Sequence, residues 1–443
     1  MITMKSILTF ISCLITLTFW GSSLAYAGSY TDSAHGSTTY GVDRTSTSQY
    51  TKGHCAHCHE QHASIGGTEP APNTLDATGP DNFCLLANNF DTTATTGPYT
   101  QDDNVCFYCH YGVDTYQSPA FSNYTYSITF GGNPDTTPAT IFDAFNSTFY
   151  HNLNDVLNFA KGSSGWPSTF TADSNPCTAC HNIHIAQRSC GKPSGSYDPT
   201  KSAISRPSDH DNLWGDDDGT VNPSERMDAY TSSYQAPYWN GSTTYFEPYS
   251  TNTTQDGSNL PDYVTFCTDC HNSTNTIYST TLERNLKTID WAIEKHGQGD
   301  ATDYITVDAP YTSGSGSLGY VLSCLDCHEP HGSPNAFLIR KEVNGGALGG
   351  GIASFSTTDW HYLCDRCHQD DKELYASCQE DHYYLIHHNT TYGGDPYYTG
   401  GSCSSCHSGS GSGCGSSRSK KVCTDCHYHG STHTYDGTTW RTF

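Results

Sequence analysis

Ser323-Cys324-Leu325-Asp326-Cys327-His328-Glu329-Pro330-His331-Gly332 decides how the rest of the chain is read. Two thiols three residues apart can add across the two vinyl groups of one porphyrin. The histidine directly after the second thiol is then held beneath the iron, so C-x-x-C-H signals c-type haem. Seven further copies follow the rule: Cys55/Cys58/His59, Cys106/Cys109/His110, Cys177/Cys180/His181, Cys267/Cys270/His271, Cys364/Cys367/His368, Cys403/Cys406/His407 and Cys423/Cys426/His427. With 21 Cys and 23 His in 443 residues, chance would supply roughly 0.05 copies. The pattern predicts eight covalently bound c-type haems, numbered I to VIII in chain order, each held by two thiols, sixteen in all, and by a proximal histidine. A lone C-x-x-C would compete as half a zinc site or a redox disulfide. Zinc knuckles do not require His after every second Cys, however, and here all eight have it.

Met1 to Ala27 carries one early cation, Lys5, an apolar run from Ile7 to Trp20 and an Ala25-Tyr26-Ala27 ending, the pattern of a signal peptide cleaved near Ala27. The run is shorter than the roughly 20 apolar residues that span a bilayer, and no later stretch reads as transmembrane. The expected address is therefore secreted, extracellular or at the outer cell surface. The mature chain is poor material for an ordinary core, with 35% hydrophobic residues, 41 Gly and 20 Pro. Tethered porphyrins can replace much of that core, with Tyr and Phe packed on the ring edges. The expected fold class is mostly irregular coil with a few short α-helices wrapped around a chain of eight haems, and very little β. Such a chain should not fold without its cofactors, because ligand binding energy is then folding energy. A formal charge of −25 argues against nucleic acid or an anionic membrane face as main partner.

Between the motifs, the widest inserts, such as Ser205 to Pro261, are rich in Gly, Pro, Asn and Asp and read as surface loops. One insert carries a clear helical period, and a second short helix is expected. Thr281 to Lys295 sets Leu282, Leu286, Ile289 and Ile293 at helical spacing ahead of His296-Gly297, and Ala144 to Ala160 carries Phe145, Phe149, Val156 and Phe159. Four cysteines lie outside the motifs and the signal peptide: Cys84, Cys190, Cys378 and Cys414. Two disulfides are expected in an oxidising compartment, with Cys84–Cys190 and Cys378–Cys414 favoured among three connectivities and buried free thiols as the alternative.

Histidines outnumber the sixth iron positions, so every iron could be bis-His ligated, whereas Met1, Met4 and Met227 are the only methionines. The distal candidates are His35, His62, His151, His184, His296, His331, His361, His387, His388 and His429. His62, His184 and His331 each follow a proximal histidine by three residues. That spacing keeps them about 5 Å away on the same side of the porphyrin, so each serves a different haem or none. His151 and His296 stand alone in long inserts beside apolar stretches.

From Cys55 to Lys372 the chain resembles the extracellular, filament-forming multihaem c-type cytochromes of metal-reducing bacteria, the hexahaem OmcS type. HCAHCHEQHASIGG, CTACHNIH, CLDCHEPHG and CDRCHQDDK carry the likeness, with His151 in a histidine-asparagine context. The resemblance implies bis-His haems, little regular secondary structure and subunits stacked end to end in a conducting filament. It also implies that His62 leaves its own subunit to ligate a haem in the next. The expected organisation is a signal peptide over 1–27, a hexahaem region over 28–372 and a dihaem extension over 373–443, which the hexahaem pattern lacks. Within that extension, haems VII and VIII are expected to form a compact pair, with Arg418, Lys420 and Lys421 beside their propionates or an acidic partner.

Eight iron centres in one chain supply an electron path, and bis-His ligation leaves no vacant position for chemistry. The expectation is extracellular electron conduction to a metal oxide, an electrode or a partner cell, with no catalytic residues. The expected partners are further copies of the chain and redox cytochromes at the outer membrane. Two rivals remain: an octahaem reductase of nitrite, hydroxylamine or tetrathionate, which needs an open iron, and a soluble periplasmic shuttle.

Overall fold

The computed structural model describes residues 30–39, 41–44, 50–59, 83–111, 140–187, 203–209, 263–298, 323–343, 346–355, 358–368, 427–435, 438–441 and 443. Over these residues the chain is mostly coil, with short helices and little sheet. The helices are α1 (Phe107–His110), α2 (Ile141–Phe145), α3 (Leu153–Ala160), α4 (Tyr263–Thr268), α5 (Lys295–Gln298), α6 (Cys324–Cys327) and α7 (His361–Cys364). Four two-stranded antiparallel ladders accompany them: β1 (Phe149–Tyr150) with β4 (Gly332–Ser333), β2 (Tyr278–Ser279) with β3 (Arg284–Asn285), β5 (Glu342–Val343) with β6 (Gly346–Ala347), and β7 (Thr432–Tyr435) with β8 (Thr438–Arg441). None of the described helices is long and apolar enough to cross a membrane.

Helix α3 shows what a helix needs in this composition. Asn152 caps it by accepting the Asp155 N–H at 3.1 Å, Asp155 adds negative charge to the first turn, and Leu153, Leu157 and Ala160 bury one face. Leu153 and Leu157 join Phe90, Tyr99, Phe107 and Phe145 in a cluster that packs on Cys177. A second cluster of Ala336, Ile339, Ile352 and Trp360 packs on Cys327. The core is thus broken into small pieces, two of which lie against motif thiols.

Both helical readings of the inserts need correction. The stretch Ala144 to Ala160 is not continuous, because the side-chain amide of Asn146 accepts the Tyr99 N–H at 2.6 Å and donates to the Tyr99 carbonyl at 3.0 Å. This contact ends α2, and Phe149–Tyr150 then pairs with Gly332–Ser333. His151 is left in the link between strand and helix. Within Thr281 to Lys295, Arg284–Asn285 is strand β3, paired with β2 just before the stretch, and Trp291–Ile293 forms a 3-10 turn. Its apolar residues never made one buried face: Ile293 is 40% exposed, whereas the buried positions are Trp291 and Glu294. Local pattern lost to tertiary pairing.

Candidate haem-binding site

The six described motifs fold alike. In each, the histidine N–H donates to the carbonyl of the first cysteine four residues earlier: His59 to Cys55, His110 to Cys106, His181 to Cys177, His271 to Cys267, His328 to Cys324 and His368 to Cys364, all at 2.9 or 3.0 Å. One helical turn therefore puts both thiols on one face with the imidazole beside them. Polar caps start these turns. Asn104 and Asn175, each two residues before a first cysteine, accept the N–H groups of Cys106 and Cys177 at 2.9 Å. Ser323 and Asp326 form a capping box around Cys324.

Each of these six proximal imidazoles faces an imidazole from elsewhere in the chain. Ring centres are 6.2 Å apart for His59–His184, His35–His110, His181–His331, His296–His368 and His328–His429, and 6.0 Å for His151–His271. An imidazole nitrogen bound to a metal lies about 2 Å from it and the ring centre about 1 Å further, so two rings on opposite faces of one metal sit about 6 Å apart. The observed separations fit that arrangement. The planes differ: nearly parallel at 11° and 2° for His59–His184 and His181–His331, nearly perpendicular at 85° and 83° for His35–His110 and His296–His368, and tilted by 38° and 30° for the other two.

Hydrogen bonds fix which nitrogen points into five of the six gaps. Nδ1 of His35 meets the Ile183 carbonyl at 2.9 Å, that of His59 the Phe83 carbonyl at 3.0 Å, that of His181 the Ala203 carbonyl at 2.7 Å and that of His328 the Phe337 carbonyl at 2.8 Å; His151 bonds the Pro330 carbonyl. With Nδ1 donating, Nε2 is the free ligand atom, and the partner sets ring orientation. Phe337 and Leu338 adopt φ of 57° and 61°, a left-handed conformation costing roughly 1–2 kcal/mol per residue. Their carbonyls receive the His328 ring and the Glu329 N–H, so this strained bend orients the fifth motif. His429 is held differently, by the Glu294 carboxylate at 2.7 Å.

Burial keeps five of these imidazoles neutral, the form that binds a metal. Loss of hydration pushes His110, His271 and His296 down to about 3, and His181 and His328 down to about 4. The indole N–H of Trp291 is buried with no acceptor among the described residues, as suits a position where a porphyrin propionate would lie. Donor set, separation and protonation state all fit haem.

Consecutive motifs abut through their thiols. Cys106 lies within hydrogen-bonding reach of Cys177, and Cys267 of Cys324. Cys58 and Cys109, Cys180 and Cys270, and Cys327 and Cys367 are close enough to act on each other electrostatically. The contacts alternate: second thiols join I to II, III to IV and V to VI, while first thiols join II to III and IV to V. The attachment points thus run in one row in chain order. His427 lies near enough to His296 to contribute to that ring's shift.

Sequence reading had left the pairings open and had missed two features. The side chains of Asn104 and Asn175 bond each other, at 3.0 and 3.3 Å, and so clamp motif II to motif III; the signal was an Asn two residues before the first Cys. Glu294 falls inside the expected 281–295 helix and carries no signal of its own in the sequence. His361 opens α7. Outside the described residues lie His62, His387, His388, His407, Cys403, Cys406, Cys423, Cys426, Cys190, Cys378, Cys414 and the signal peptide, and with them both disulfide expectations and the compactness of the VII–VIII pair.

A family model described as the doubled CXXCH motif matches residues 320–373, which contain the fifth and sixth motifs. The doubled motif indicates a multihaem c-type cytochrome of electron transfer, with haem bound covalently through the paired thiols. Searches of curated proteins and of solved structures return no match.

Proposed function

We propose that the chain is an octahaem, bis-His c-type cytochrome that conducts electrons outside the cell, assembled head to tail into a filament like the OmcS type it resembles. The observation that carries this reading is the row of six facing imidazole pairs at one common separation. Bound haem supplies a one-electron ferric/ferrous couple at each position. The protein's part is to saturate both axial positions, keep the ligands neutral and set consecutive attachment points side by side. An arrangement that closes both faces of the metal leaves no site for substrate, which favours conduction over reduction of nitrite, hydroxylamine or tetrathionate.

Export behind the signal peptide, an external acceptor such as a metal oxide, electrode or partner cell, and outer-membrane redox cytochromes as electron donors complete the proposal. Six proximal histidines face a histidine of their own chain. The haems of His407 and His427 are therefore the positions open to His62 of a neighbouring copy. The test combines mass measurement, electron paramagnetic resonance and electron microscopy on protein secreted from its producing cells. Eight haems per chain, all low-spin, in filaments is the expected result. A high-spin ferric haem in the intact assembly, with turnover of one of those substrates, would overturn it.

A further inference from the structure

Among the six facing pairs, His328–His429 has a ligand tied to a charged side chain. Five other ligand rings, those of His35, His59, His151, His181 and His328, donate Nδ1–H to main-chain carbonyls. Nδ1 of His429 instead meets Glu294 Oε2 at 2.7 Å, while Oε1 accepts the Gly430 N–H at 3.1 Å. Glu294 is fully buried, and Trp291 packs its indole 6.2 Å from the His429 ring. The nearest analogue is His331, whose Nδ1 stands 3.4 Å from Glu329, beyond a normal hydrogen bond.

A buried carboxylate is costly to keep, and an apolar side chain or an amide would fill the same space. What the carboxylate adds is charge-assisted pull on the ligand's proton, roughly twice as strong as that of a neutral acceptor. Drawing that proton away makes the imidazole a stronger donor. A stronger donor, together with a negative charge in a dry site, favours the ferric over the ferrous state.

We propose that Glu294 is a positioning residue that lowers the reduction potential of haem V relative to its carbonyl-held neighbours. The motif of haem V abuts those of IV and VI, so electrons passing along the row would meet an uphill step there. The inference rests on bis-His ligation of haem V by His328 and His429.

Spectroelectrochemical titration of the fully loaded protein tests it, with haem content and spin state recorded first. A high-spin haem in the parent would fault the ligation reading itself; an all-low-spin parent isolates the role of Glu294. Glu294→Gln should keep eight low-spin haems and move one redox transition to more positive potential, leaving the others in place. Glu294→Ala should show the same shift, with acetate but not acetamide returning the transition toward its parent position. An unshifted titration in Glu294→Gln would overturn the proposal. So would loss of a haem from both variants, or equal rescue by acetate and acetamide, since each marks Glu294 as packing alone.

Discussion

At the scale of single residues, the angle between facing imidazoles is the property with the clearest spectral consequence. Near-perpendicular ligand planes leave two ferric d orbitals close in energy and give strongly axial low-spin signals, whereas parallel planes separate those orbitals and give rhombic ones. The chain should therefore show two axial components, from His35–His110 and His296–His368, and two rhombic components, from His59–His184 and His181–His331. Replacing His331 by Ala removes one member of a parallel pair. Paramagnetic resonance should then lose one rhombic component and gain one high-spin signal, with both axial components unchanged; loss of an axial component would mean that His331 serves another haem. Every proximal residue in these pairs was legible as the last letter of a motif. Their partners were not, because His331 meets a histidine 150 positions earlier and His429 one 101 positions earlier, and no local pattern encodes such closures.

At the scale of elements, the C-x-x-C-H turn is the repeated unit, and its caps join one unit to the next. Asn104 Oδ1 accepts from both the Cys106 N–H and the Asn175 amide, while Asn175 also donates to the Asn89 carbonyl at 2.7 Å. Both asparagines are buried. Asn104→Ala removes the cap on the Cys106 N–H and both side-chain hydrogen bonds to Asn175, a cost of about 1–2 kcal/mol. Chemical unfolding of the loaded protein should register that loss, whereas Thr93→Ala, which removes an exposed contact to Asp91, should cost less than about 0.5 kcal/mol. Equal stability of the two variants would show that the asparagine clamp contributes nothing. The scarcity of regular structure was readable from composition, since Gly, Pro, Ser and Asn interrupt each stretch. The two expected helices failed for a reason composition does not reveal. Phe149–Tyr150 found a strand partner 183 residues away, and the 281–295 run buried a tryptophan and a glutamate instead of its leucines and isoleucines.

At the scale of the whole molecule, the facing histidines of the third and fifth motifs follow one rule. In the third motif, His184 faces His59 of haem I, and the preceding carbonyl, of Ile183, holds His35 of haem II. In the fifth, His331 faces His181 of haem III, and the preceding carbonyl, of Pro330, holds His151 of haem IV. Each C-x-x-C-H-x-x-H thus serves the two haems before its own. The first motif has the same form in Cys58-His59-Glu60-Gln61-His62, and residues 1–54 hold no C-x-x-C-H. Applied to a row continuing from one copy into the next, the rule sends His62 to the second-last haem of its neighbour. The proximal histidines of motifs V and VI already face His429 and His296, so under this proposal the motif of His407 is the one that would receive His62. Such a head-to-tail contact does not close on itself and generates an open filament. His62→Ala should accordingly yield monomers with one high-spin haem, while the axial and rhombic signals of the six in-chain pairs persist. Intact filaments with eight low-spin haems would remove His62 from the joint. Loss of any in-chain signal would break the rule that assigns it to haem VII.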